Sequence, residues 1–143
     1  MGGRVMDLTE FLTARYDEEA VALKRIEDHS EPWRGEWVIK ASTLYTYNGW
    51  CLAVTARGYP MDPQVLAHIV RYDPSRVAAE LNAKREILTL HAPFPNDRDG
   101  FICDRCGSGE PYEYPVDWPC TTVKLLASVY SGHPDFDPAW RTE

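Results

Sequence analysis

One histidine and three cysteines, spaced H-x11-C-x2-C-x13-C as His91, Cys103, Cys106 and Cys120, constrain this chain more than any other feature of its sequence. A C-x2-C step lets one tight turn present two thiolates to a tetrahedral ion, and four Cys/His donors close such a site. The pattern reads as a structural zinc site. It also accounts for the stretch it spans, because Ala92 to Pro119 is crowded with Pro, Gly and Asp and reads as one long structureless loop. A loop of that length inside a compact domain needs something to hold it.

Reach decides the choice of fourth ligand. Cys120 follows Trp118-Pro119 at the start of an expected C-terminal helix, where a thiolate meets the positive end of the helix dipole. If residues 121–130 are helical, His133 lies roughly 15 Å or more from Cys120 at ~1.5 Å per residue. His91 needs only a loop to close. Cys51 is a rival for the position, and another His, a carboxylate, water or no bound metal at all are further options. An open fourth position would make the ion catalytic by lowering the pKa of a bound water. Three thiolates donate so much charge that the ion becomes a poor Lewis acid, so a structural, non-enzymatic role is expected.

The rest of the chain reads as α+β. Asp7 and Glu10 resemble a capping box, and Leu8, Phe11, Leu12, Tyr16, Leu23 and Ile26 then form a helical stripe that runs to about Asp28. His29-Ser30-Glu31-Pro32 ends it, since a proline disfavours helical geometry in the residue before it. From Glu36 to Thr55 the period changes to two. Asn48-Gly49 predicts a two-residue hairpin turn, which sets Tyr47 against Trp50, Thr46 against Cys51, Tyr45 against Leu52, Leu44 against Ala53 and Thr43 against Val54. Trp37, Val38 and Ile39 supply a third strand. The aromatic face resembles a base-stacking platform, but aromatic cross-strand pairs are ordinary sheet stabilisers, so that face is expected to pack against helices.

Gly58-Tyr59-Pro60 breaks the sheet, and Asp62-Pro63 and Asp73-Pro74 each open a helix with a capping carboxylate and a proline at its first position. Val65, Leu66, Ile69 and Val70 form the apolar side of the first. Val77, Leu81, Leu88 and His91 line the second, with Ala83, Ile87 and Leu90 beside them. His91 thus arrives at the end of a core-facing stripe. After Cys120, Val123, Leu125, Leu126, Val129 and Tyr130 predict a short, mostly buried helix that stops at Gly132. The aromatic tail from His133 to Trp140 then folds back, with His133 and Asp135 reading as a surface turn.

The resulting expectation is one zinc-stabilised domain over residues 6–140: an N-terminal helix, a small antiparallel sheet with the Asn48-Gly49 hairpin, two central helices, the zinc loop and a short last helix. A chain of 143 residues with 44% hydrophobic content is long enough for one proper core. No apolar run approaches the ~20 residues that span a bilayer, and the N-terminus lacks a signal-peptide pattern. A cytoplasmic protein is expected, where clustered cysteines are more often metal ligands than disulfides.

A net charge of −7 disfavours nucleic acid, whose binding draws on Lys and Arg displacing counterions. Between Pro93 and Trp118 six acidic residues (Asp97, Asp99, Asp104, Glu110, Glu113 and Asp117) face only Arg98 and Arg105. The cations Arg71, Arg76, Lys84 and Arg85 are interleaved with Asp73, Glu80 and Glu86, as on a solvated helix face.

The opening Met6-Asp7-Leu8-Thr9-Glu10-Phe11-Leu12, the stretch HIVRYDPSRVAAELNAKREIL from His68 to Leu88 and the ending WPCTTVKLLASVYSGHPDFDPAW from Trp118 to Trp140 resemble a family of small actinobacterial and actinophage proteins of unknown function. The resemblance covers both ends and the long helix. It implies the same ligand positions, a His at the end of the long helix, a C-x2-C and a Cys opening the last helix, and no activity to transfer. The reading that follows is a non-enzymatic, zinc-stabilised module that binds another protein, through its acidic first helix or the exposed part of the sheet. The alternatives are a single-stranded nucleic-acid binder using the aromatic face and a zinc-dependent hydrolase.

Overall fold

Asp7 and Glu10 start the first helix as a reciprocal capping box. The Glu10 N–H donates to Asp7 Oδ1 at 2.8 Å and the Asp7 N–H donates to Glu10 Oε2 at 3.2 Å, so two donors without intrahelical partners are satisfied together. The computed structural model describes residues 7–28, 36–40, 43–46, 49, 51–53, 61–96, 100–103, 105–107 and 114–142. Among them the architecture is α+β. It comprises four α-helices, α1 (Leu8–Asp28), α2 (Pro63–Val70), α3 (Pro74–Leu90) and α4 (Thr121–Ser128), and five strands. The strands are β1 (Trp37–Lys40), β2 (Thr43–Thr46), β3 (Cys51–Ala53), β4 (Pro93–Asn96) and β5 (Gly100–Cys103). Backbone contacts group the chain into two compact units, residues 18–82 and residues 1–17 with 83–143, and α1 and α3 each belong partly to both.

Residues 18–82 carry the antiparallel sheet β1-β2-β3, with α2 packed on β1 and β2. Asp62 caps α2 by accepting the Gln64 N–H at 2.7 Å, and Pro63 occupies the first turn, as the sequence predicts. Asp73 does the same for α3, accepting the Arg76 N–H at 2.8 Å.

The hairpin differs from the expected two-residue turn. The Gly49 N–H donates to the Thr46 C=O at 2.9 Å with Gly49 at φ 95°, a left-handed conformation that glycine adopts without a Cβ penalty. A turn that closes from Thr46 to Gly49 lies one residue earlier than the two-residue loop and shifts the pairing by one residue. Tyr45 therefore faces Cys51, and an irregularity between Leu44 and Tyr45 restores the expected pairing of Leu44 with Ala53. The buried face of β2 carries Leu44 and Thr46, whereas Tyr45 is only half-buried. Packing thus selects the aliphatic face over the aromatic one.

The other unit, residues 1–17 with 83–143, is built around Phe11. Its ring is fully buried and meets the rings of Tyr130, His133, Phe136 and Trp140 at centroid distances of 5.0–6.2 Å. The tail folds back through these contacts, as expected, and a 3-10 turn over Pro138–Trp140 is capped by Asp137. Arg15, on the same helix, is 7% exposed. It lies 5.3 Å above the Phe11 ring and donates to the His133 ring at 2.8 Å. The expected surface turn at His133 and Asp135 is present, closed by the Phe136 N–H on the His133 C=O at 3.0 Å, and the His133 imidazole also contacts the buried Arg15. Edge-on aromatic packing and a cation over a ring face each add to the area buried.

Three expectations need correction. The stretch from Ala92 to Pro119 is not structureless, because β4 and β5 form a hairpin within it and Ile102 bridges to Asp117. Pro93 and Pro95 hid that strand, since proline is tolerated only at a sheet edge, which is where β4 lies. In α4 only Val123 and Ala127 are buried, while Leu125 and Val129 are exposed by 54% and 72%, so the helix is not mostly buried. In α2 Leu66 is buried but Val65 is half exposed.

The expected helix stop at His29 to Pro32, the sheet break at Gly58 to Pro60, the pairings of Tyr47, Trp50 and Val54, and Asp97, Arg98, Asp99, Asp104, Glu110 and Glu113 lie outside the described residues. No helix among the described residues is long and apolar enough to cross a membrane.

Candidate metal centre

Three segments deliver the four donors. α3 runs to Leu90, and His91 continues its last turn with its N–H on the Ile87 C=O at 3.0 Å, so the imidazole leaves from the end of a rigid element. β5 ends on Cys103, and the turn through Arg105 and Cys106 brings the second thiol back. Cys120 is the residue immediately before α4, in extended conformation and with no side-chain cap of its own. Residues 116–118 tie the last two segments together through an isolated antiparallel bridge between Ile102 and Asp117. The Cys103 N–H donates to the Val116 C=O at 2.8 Å, and the Trp118 N–H donates to the Phe101 C=O at 2.9 Å.

These elements bring His91, Cys103, Cys106 and Cys120 together, with all four donor atoms within 4.8 Å of one another. His91 Nδ1 lies 3.3 Å from Cys103 Sγ, 3.4 Å from Cys106 Sγ and 3.5 Å from Cys120 Sγ. One ring nitrogen has one proton or one lone pair, so three equal approaches by sulfur are not a set of hydrogen bonds. They match the edges of a coordination tetrahedron. Metal–sulfur and metal–nitrogen bonds of ~2.3 and ~2.0 Å give N···S edges of about 3.5 Å. The four residues are close enough to hold a metal ion. Cys51, the rival fourth ligand, is exposed on β3 and outside the cluster, and all four cysteines are free thiols.

The electrostatics of the cluster fit the same purpose. Burial alone would raise the Cys103 thiol, but donation from the Arg105 and Cys106 backbone N–H groups, helped by the neighbouring thiols, lowers it below its usual value. Cys106 is pushed the other way, up to about 12, by burial first and then by Cys103 and Cys120. Three thiolates in one pocket repel, so without a cation at least one holds its proton. A divalent ion removes that conflict.

Two of the cations on the central helices are paired with carboxylates. Arg76 meets Glu80 at 2.7 Å and Arg85 meets Asp17 at 2.7 Å, both on exposed faces. Sequence reasoning missed Trp118, whose indole Nε1–H donates to the His91 C=O at 3.0 Å. Its position two residues before a ligand cysteine was the only signal.

Fold and site together define an α+β protein with a Cys3His cluster able to hold a metal ion. The chain belongs to a family of unknown function, DUF6221, whose model matches residues 5–142. No curated protein and no solved structure matches it.

Proposed function

We propose that the cluster binds one structural zinc ion through His91 Nδ1 and the sulfurs of Cys103, Cys106 and Cys120, and that the protein is a non-enzymatic, cytoplasmic module that binds another protein. The observation that carries the zinc assignment is the convergence of four donors at tetrahedral spacing, with Cys103 and Cys120 buried. Four protein ligands fill a tetrahedral ion and leave no position for a water to be activated. The soft, thiolate-rich donor set favours zinc over magnesium or calcium, which take oxygen.

Support for a binding role comes from what the ion organises. Phe101 and Tyr114 are 54% and 65% exposed on β5 and the segment just ahead of the bridge to Asp117. Exposed aromatic residues on a metal-fixed scaffold are what a protein interface draws on. The test has two arms. Metal analysis of purified protein is expected to give about one zinc per chain. Affinity capture with wild-type, Phe101→Ser and Tyr114→Ser protein is expected to retain a partner only with the wild type. Zinc-free folded protein would overturn the first half, and capture indifferent to both substitutions the second.

A further inference from the structure

We infer that Trp118 is a positioning residue for the metal centre, acting through His91, and this rests on the zinc reading above. α3 ends without the usual devices. No glycine follows it, since Leu90-His91-Ala92-Pro93 runs straight into a strand, and its last turn carries no basic side chain. The carbonyls of a helix's final turn have no intrahelical partner, and a left-handed glycine or a nearby cation ordinarily meets them. Here the Trp118 indole supplies the donor, with Nε1–H on the His91 C=O at 3.0 Å. The bond falls on the backbone of the residue that presents the imidazole.

The same tryptophan is fixed to the other ligand segments. Its backbone N–H is bonded to the Phe101 C=O at 2.9 Å, two residues ahead of Cys103, and Cys120 lies two residues beyond it in the chain. One residue thus touches the segment of His91 through its side chain, that of Cys103 through its backbone and that of Cys120 by covalent continuity. The effect is preorganisation. With the end of α3 held, Nδ1 stays at 3.3–3.5 Å from all three sulfurs, and less ordering remains to be done when the ion arrives. Without the indole donor the carbonyl is left unpaired and the last turn frays, so His91 becomes the loosest of the four ligands.

The experiment compares Trp118→Phe, which keeps an aromatic ring and removes the N–H, with Trp140→Phe, which alters a buried tryptophan of the aromatic tail. Zinc affinity is measured by chelator competition on folded protein, His91 ring nitrogens by long-range proton–nitrogen NMR, and thiolate ligation by the charge-transfer band of the cobalt-substituted protein. For Trp118→Phe we expect zinc affinity to fall about tenfold, in the range seen for outer-shell substitutions. The metal-bound Nδ1 signal of His91 is expected to broaden while the thiolate–cobalt band is retained. Trp140→Phe should leave all three unchanged. Wild-type affinity with a sharp His91 signal in Trp118→Phe would overturn the inference, as would an equal loss in Trp140→Phe. If the wild type takes up no zinc, the metal reading fails by itself. Amide exchange at Leu90 and His91, faster in Trp118→Phe than in wild type, still reports the capping bond, and unchanged exchange removes it.

Discussion

Under the zinc reading proposed above, stripping the metal tests the largest single contribution expected to this protein's stability. Structural zinc sites with Cys and His ligands are worth ~10–16 kcal/mol at neutral pH in small peptides, while a whole domain is stable by roughly 5–15 kcal/mol. In this chain the ion would join the end of α3, the β5 turn and the start of α4, three segments separated in sequence by 11 and 13 residues around the C-x2-C step. Losing even ~10 kcal/mol leaves little net stability. At about 3 °C per kcal/mol for a chain of this size, the melting temperature is expected to fall by ~30 °C, or the cooperative transition to vanish. Circular dichroism melts of zinc-loaded and chelator-treated protein, each with metal content measured on the same sample, give the comparison. A chelated sample shown to be metal-free yet melting within ~3 °C of the loaded one refutes the reasoning, because the tetrahedron would then contribute no more than an ordinary surface contact.

Three other outcomes follow from the structure. His91→Ala is expected to lower zinc occupancy and stability while Cys51→Ser, exposed on β3, leaves both unchanged; the reverse pattern by metal analysis would reassign the fourth ligand. Zinc affinity is expected to rise from pH 6.5 to 8.5 in chelator competition, because the Cys106 proton, held with a pKa of about 12 by burial and its thiol neighbours, must be displaced; a flat profile contradicts this. By the same sign, in the metal-free fold Cys106 contributes stability below its usual pKa near 9 that is lost as pH rises from 9 towards 12. Cys103, lowered, contributes above 9 and loses its share as pH falls through its own pKa. Phe11→Ala, at the centre of four ring contacts and fully buried, is expected to cost ~3–5 kcal/mol in denaturant unfolding, and a loss under 1 kcal/mol would mean the tail is not packed on it.

Local chemistry was legible wherever a few neighbouring residues decide the outcome. The Asp7/Glu10 box and the Asp62-Pro63 and Asp73-Pro74 starts need only the geometry of one helical turn, and each appears as read. The four-residue cluster was legible for a related reason: ligand chemistry admits few residue types, and the C-x2-C spacing names the turn that carries two of them. Errors fall where a choice of face or partner matters. Asn48-Gly49 announced a hairpin, but whether the turn closes from Tyr47 or, as found, from Thr46 is set by strand twist and packing across the sheet. Leu125 and Val129 looked like core, and they face outward because Val123 and Ala127 meet the rest of the fold first.

The sequence by itself determined the helix starts, the α+β class and the identity of the donor residues, because these follow from backbone sterics and from the short-range chemistry of carboxylates, prolines and thiols. Only the tertiary structure decided that a proline-bearing strand pairs within the supposed loop, that Arg15 is buried against Phe11 and His133, and that the Trp118 indole meets the carbonyl of His91, just past the end of α3. Each of those joins residues far apart in the chain. Their energy comes from desolvation and from hydrogen-bond geometry that exists only once the segments have met.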